Sequence, residues 1–120
     1  YGFSIIMGES TAQSIPDYAM IELDLIAVKG KEEAVKIFGL LGDEKHAQKA
    51  EFIDAKDAIE AFLKLYLERE WDSAEKKLVH IAGLNPRLEK FVKLYQDRIR
   101  RFRTSPPPEN WDGVFRAEKK

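Results

Sequence analysis

Met20-Ile21-Glu22-Leu23-Asp24-Leu25-Ile26-Ala27-Val28, followed after a short gap by Val35-Lys36-Ile37-Phe38-Gly39-Leu40, is the stretch that decides the fold. In the first run Ile21, Leu23, Leu25 and Ala27 point one way, and Glu22 and Asp24 share the other face with Met20, Ile26 and Val28. A period of two marks a half-buried strand. The second run sets Val35 and Ile37 against Lys36 and Phe38. Lys29-Gly30-Lys31-Glu32-Glu33 between them is a polar turn, with a glycine free to take positive φ. Together they predict an antiparallel β-hairpin. Upstream, Phe3–Met7 is a short apolar run between Gly2 and Gly8. Ser10–Ile15 predicts a turn or two of helix, with Ser10 as its cap and Pro16 as its stop.

Downstream the apolar period changes to that of a helix. Ile59, Phe62, Leu63, Tyr66 and Leu67 recur at i, i+3, i+4, i+7 and i+8, one stripe of an amphipathic helix. Asp72 with Glu75 three residues on has capping-box spacing and predicts a second helix, whose stripe is Ala74, Leu78, Ile81 and Ala82. Asn85-Pro86 opens a third, with Asn85 as cap and Pro86 at the first helical position. Its stripe is Leu88, Phe91, Val92, Tyr95, Ile99 and Phe102. Thr104-Ser105-Pro106-Pro107-Pro108 ends it. The fold class is therefore α+β: a partial antiparallel sheet in residues 1–42, a three-helix extension in 50–104, and a Pro-rich tail in 105–120 carrying Trp111 and Phe115.

Composition narrows the function classes. Twenty Lys and Arg face 21 Asp and Glu in 120 residues, a net charge of −1, so no basic excess points to nucleic acid or an anionic membrane. The absence of Cys removes disulfides, thiolate metal sites and Cys nucleophiles. No apolar run approaches a membrane span, and no signal peptide opens the chain. Because the first residue is Tyr1, the chain reads as a piece of something longer. Two or three strands with one apolar face are marginal alone. Burying Ile21, Leu23, Leu25, Val35 and Ile37 contributes roughly 1.5–3 kcal/mol each once something covers them. With the helical stripes assigned to one another, the hairpin is expected to belong to a larger sheet whose other strands precede Tyr1, or to pair with a second copy.

Three segments carry a resemblance. Glu22-Leu23-Asp24, Val28-Lys29-Gly30-Lys31 and Val35-Lys36-Ile37-Phe38-Gly39-Leu40-Leu41 resemble the end of the catalytic domain of class III adenylate/guanylate cyclases. Tyr1–Thr11 looks like the preceding strand and helix of that domain. Asn110-Trp111-Asp112-Gly113-Val114 after the proline cluster looks like the close of the helical extension found in bacterial members. The resemblance implies conversion of ATP (or GTP) to the cyclic nucleotide and pyrophosphate, in a cytoplasmic signalling protein that is membrane-anchored in some architectures. It implies a homodimer with shared sites and two divalent ions, magnesium or manganese. The metal-binding Asp pair and the transition-state Asn and Arg would precede Tyr1, so no catalytic residue lies in this chain, which alone is expected to be inactive. The one substrate contact carried over is a phosphate-binding Lys, which maps to Lys29, with Lys31 as its neighbour.

Other features have plainer readings. Lys29 and Lys31 also suit a hairpin tip charged to blunt a sheet edge. Asp24 reads as solvated or paired and not as a metal ligand, and His46 and His80 lack partners at ligand spacing. Cations from Arg98 to Arg103 complement the C-terminal end of a helix dipole, which outweighs an anion site. Trp71, Phe62 and Tyr66 suit a core better than a ligand cage. Trp71, Ala74, Leu78, Ile81 and Pro86 also fall at the offsets of the second half of a tetratricopeptide repeat. The alternative function is thus a non-catalytic module whose helical hairpin binds a protein partner.

Overall fold

The computed structural model describes residues 1–27 and 34–116, and Lys29 and Lys31 lie outside the described residues. In chain order the elements are β1 (Ile6–Gly8), α1 (Glu9–Ser14), β2 (Ala19–Ala27), β3 (Ala34–Gly42), α2 (Glu44–Ala47), α3 (Ala50–Leu67) and α4 (Trp71–Leu84). A 3₁₀ turn (Pro86–Leu88), α5 (Glu89–Thr104) and β4 (Phe115–Arg116) follow. The sheet order is β1-β3-β2-β4. β2 and β3 pair antiparallel from Ala19↔Gly42 to Ala27↔Ala34, and β1 pairs antiparallel with β3 through Met7↔Phe38. The α+β class holds.

Local chemistry explains most boundaries and corrects some. Gly8, not Ser10, stands at the head of α1, and Ser10 lies within the helix. Asp43 caps the short α2 by accepting from the amides of Lys45 and His46. α4 starts at Trp71, one residue before the expected cap. Asp72 therefore lies inside the helix and the capping box does not form; Arg103 instead takes the carboxylates of both Asp72 and Glu75, at 2.7 and 2.6 Å. Asn85 does cap, accepting from the amide of Arg87, but the turn it opens is 3₁₀ before it becomes α5. At the end of α3, Arg69 N–H donates to the Tyr66 carbonyl and Glu70 N–H to that of Leu65. That is the Schellman pattern, whose pivot is usually glycine. Here the pivot is Arg69 at φ 63°. Its guanidinium compensates by donating to the carbonyls of Pro107 and Pro108 and lying over the Trp111 ring.

One apolar core runs through sheet and helices together. Ala19, Ile21, Leu23 and Leu41 share it with Phe52, Ile59, Phe62, Leu78, Ile81, Phe91 and Tyr95. The assignment of the helical stripes to one another alone is corrected: this chain's helices seal Ile21 and Leu23 completely. The helical stripes are wide enough to serve one another and the sheet. Ala55 and Ala74, both fully buried, are small residues suited to a close approach of helix backbones. Phe62 and Tyr66 are core, as read, and Trp71 is partly buried against it. Trp71 stacks on Phe102 with centroids 5.4 Å apart, and Trp111 closes on both Phe102 and Tyr66. The segment after the prolines therefore packs back on the helices, and β4 joins β2 in parallel at Ile26↔Phe115 and Ala27↔Arg116. Gly113 makes that return possible: its φ is 82°, and a Cβ there would stand 2.1 Å from Leu67 Cδ2. On the other side Ile5, Ile6 and Val35 stay exposed along β1 and β3. No described helix is long and apolar enough to cross a membrane.

Candidate functional site

The site grows out of a fault in the β2 ladder. Glu22 pairs with Phe38 and Asp24 with Ile37, so Leu23 is an extra residue opposite no partner. Such a bulge re-aims the side chains around it. Its effect is to bury Leu23 and Asp24 in succession, at 0% and 2% exposure, and to leave Leu25 only half-buried. The two-residue alternation through Met20–Val28 breaks there. Asp24 does not sit on a solvated polar face.

A buried carboxylate needs a charge partner and filled lone pairs. Arg98 supplies the charge from α5, its Nη2 standing 2.7 Å from Asp24 Oδ2. The Tyr1 hydroxyl donates to the same oxygen and in turn accepts from Arg98 at 3.3 Å. Oδ1 accepts from the amide of Leu25 at 2.9 Å. One turn earlier on α5, the Tyr95 hydroxyl donates to the Leu23 carbonyl at 2.7 Å. Phe115 of β4 lies over the guanidinium, 3.9 Å from its ring centre, and Tyr95 flanks it at 5.0 Å. Arg98 is 6% exposed, and its Nη1 has no hydrogen-bond partner among the described residues. The macrodipole reading therefore fails for Arg98, which faces inward, while Arg100 pairs with Asp97 and Arg103 with Asp72 and Glu75 on the surface.

Electrostatics follow from this burial. Burial pulls the Arg98 guanidinium down, but the hydrogen bond and charge of Asp24 outweigh it and hold it above its ordinary value. Burial and then Asp24 push the Tyr1 phenol up to about 12. Burial also raises Tyr66, against the opposing charge of Arg98, and raises Tyr95 strongly, with Asp24 adding to it. All three phenols are thus neutral hydrogen-bonding groups. Glu22 is raised by burial too, with Lys36 opposing and Glu60 and Glu9 reinforcing.

The ion pair lies between two clefts. Asp24, Tyr66, Tyr95, Leu63 and Leu67 line one of about 420 Å³. Tyr1, Lys90, Lys93, Arg98 and Phe115 line the other, of about 510 Å³. Among the described residues no group of three or more His, Asp or Glu is arranged to hold a metal. Nor does the chemistry of the one buried Asp fit the divalent ions that the cyclase resemblance implies: its oxygens already serve Arg98, Tyr1 and the Leu25 amide. His46 packs edge-on against Phe52, and His80 is an exposed residue of α4.

Of the residues singled out for chemistry, Lys29 and Lys31 fall outside the described residues. The Asp24–Arg98 pair escaped sequence reasoning as a site, although a signal existed. Arg98, three residues after Tyr95, falls on the otherwise apolar stripe from Leu88 to Phe102, and Asp24 stands between Leu23 and Leu25. No family model, curated protein or solved structure matches the chain.

Proposed function

We propose that this chain is the C-terminal part of a bacterial class III nucleotide cyclase, which converts ATP to cyclic AMP and pyrophosphate in signal transduction. In this reading Lys29, with Lys31 beside it, contacts the nucleotide phosphates. The metal-binding Asp pair, the Asn and Arg that stabilise the transition state, and the magnesium or manganese they handle belong to residues before Tyr1. The observation that carries the reading is the hairpin. β2 and β3 pair up to Ala27↔Ala34, so Val28–Glu33, with its Val-Lys-Gly-Lys sequence, connects two paired strands. An ammonium carried on such an arm neutralises a phosphate oxygen as pyrophosphate leaves. A homodimer with shared sites is consistent with the exposed Ile5, Ile6 and Val35 on the sheet. GTP is the other nucleotide to test, because the purine-reading residues of the family also lie upstream. The non-catalytic alternative uses the helices as a repeat that binds a protein partner. Their stripes are spent on the sheet and on each other, which favours an integral part of one unit over a free-standing binding module.

The test is a cyclase assay on the complete reading frame, with ATP or GTP and manganese, beside Lys29→Ala. Cyclic nucleotide formation that falls by roughly tenfold or more in the variant, about 1.4 kcal/mol of transition-state stabilisation, is the expected result. Unchanged formation removes Lys29 from the site. No product from either nucleotide overturns the cyclase reading.

A further inference from the structure

Four of the last five residues of β2 are held from outside the hairpin. The Leu23 carbonyl is bonded by Tyr95 of α5, and Asp24 is paired with Arg98 one turn on. Asp24 in turn holds the Leu25 amide. Ile26 and Ala27 pair with β4, which is returned to them by a tail fixed at Arg69 and Gly113. The opposite arm is different: Ala34, Val35 and Lys36, which pair with Ala27, Ile26 and Leu25, are exposed. The placement of the hairpin's first arm is thus decided by α5 and the strand it shelters.

A buried ion pair is a poor means of adding stability. Desolvating both ions offsets most of their attraction, and apolar replacement of a whole pair is often neutral or stabilising. The Arg98 pair adds a further cost, because its Nη1 has no hydrogen-bond partner among the described residues. What a buried pair does well is fix register, since only one arrangement satisfies both charges. Asp24 occupies the position where register is at stake, directly after the bulged Leu23.

We infer that Asp24 and Arg98 are positioning residues, through which the helical extension sets the end of β2, Leu25–Ala27, from which the hairpin connection leaves. Resting on the cyclase reading, this gives the extension a role in the same site: it acts on catalysis by holding the arm that leads to Lys29. Phe115 seals the pair, so the tail strand takes part in the same control.

The experiment compares the complete wild-type protein with Asp24→Leu/Arg98→Met, which removes both charges and keeps the volume. Cooperative unfolding, steady-state cyclase kinetics and site-resolved amide exchange are measured on each. The expected variant unfolds cooperatively near the wild-type midpoint but exchanges the Leu25–Ala27 amides faster, while the core of α3 is unchanged. Its kcat falls roughly tenfold with KM altered less than about twofold, a split that general loss of stability does not produce. Wild-type kcat together with wild-type exchange overturns the inference, and so does exchange that quickens equally in α3. If the wild type forms no cyclic nucleotide, the cyclase reading fails, and exchange alone then decides: acceleration confined to Leu25–Ala27 keeps the coupling, and none ends it. Should the double variant not fold, Tyr95→Phe, which removes only the bond to the Leu23 carbonyl, is read by the same exchange criterion.

Discussion

Arg98 and Arg103 stand five residues apart on α5, and each brings a guanidinium nitrogen to 2.7 Å from an aspartate oxygen. By distance they are the same interaction. Arg98 and Asp24 are buried between sheet and helix, whereas Arg103 and its partners Asp72 and Glu75 are solvated on the flank of α4. In water the attraction is screened and side-chain ordering offsets most of the rest. In the core the same contact decides whether a charge is left stranded. The difference teaches that on this helix the environment of a pair, and not its length, sets what depends on it.

The sharpest way to break that comparison is to remove one buried partner. Arg98→Ala leaves the Asp24 carboxylate unpaired in the core and is expected to cost about 3–5 kcal/mol in urea denaturation. A cost no larger than that of a surface substitution would mean that water reaches Asp24 freely. The second test is titration. Tyr1 ionises at about 12 in the folded protein and at its ordinary 10.0 when unfolded, and Tyr66 and Tyr95 are raised in the same direction. Because the folded state holds these protons more tightly, their contribution to stability is fully present below pH 10 and is lost as pH rises towards 12. An alkaline absorbance titration followed alongside circular dichroism should show those phenols ionising together with unfolding, and free ionisation near 10 would break the picture of a dry cluster. The smallest effect belongs to Arg103→Ala, expected to leave the urea midpoint almost unmoved, with any residual difference vanishing in high salt. A clear, salt-resistant loss would erase the distinction between the two arginines.

Much of the architecture was legible because it is local. A period of two announced the hairpin, and three stripes of helical period announced α3, α4 and α5, with Asn85-Pro86 marking the last boundary. What escaped depends on distant residues. The bulge at Leu23 leaves the alternation through Glu22 intact in sequence, yet it buries Asp24 and half-exposes Leu25. The capping box at Asp72 and Glu75 read well, but α4 starts at Trp71, which puts Asp72 inside the helix, and both carboxylates go to Arg103, remote in sequence. β4 is two residues long and carries no period at all. In sequence the helical stripes account for one another, and only the three-dimensional packing shows Phe52, Ile59 and Phe62 sharing one core with Ile21 and Leu23. For the site, both members of the ion pair were visible as charges at apolar positions, but nothing in either segment names the other as its partner.

The Tyr95–Leu23 bond joins residues 72 positions apart, and Arg98 reaches back over a similar span to Asp24. During synthesis at ~5–20 residues per second, Asp24 is added roughly 4–15 s before Arg98 exists. Throughout that interval its carboxylate stays hydrated, and the β2 segment cannot settle with Asp24 turned inward. The helices, built from neighbouring residues, are free to form on their own schedule, whereas Asp24 gains its charge partner only once α5 exists. The final register of the hairpin is therefore written by α5 and the strand that follows it.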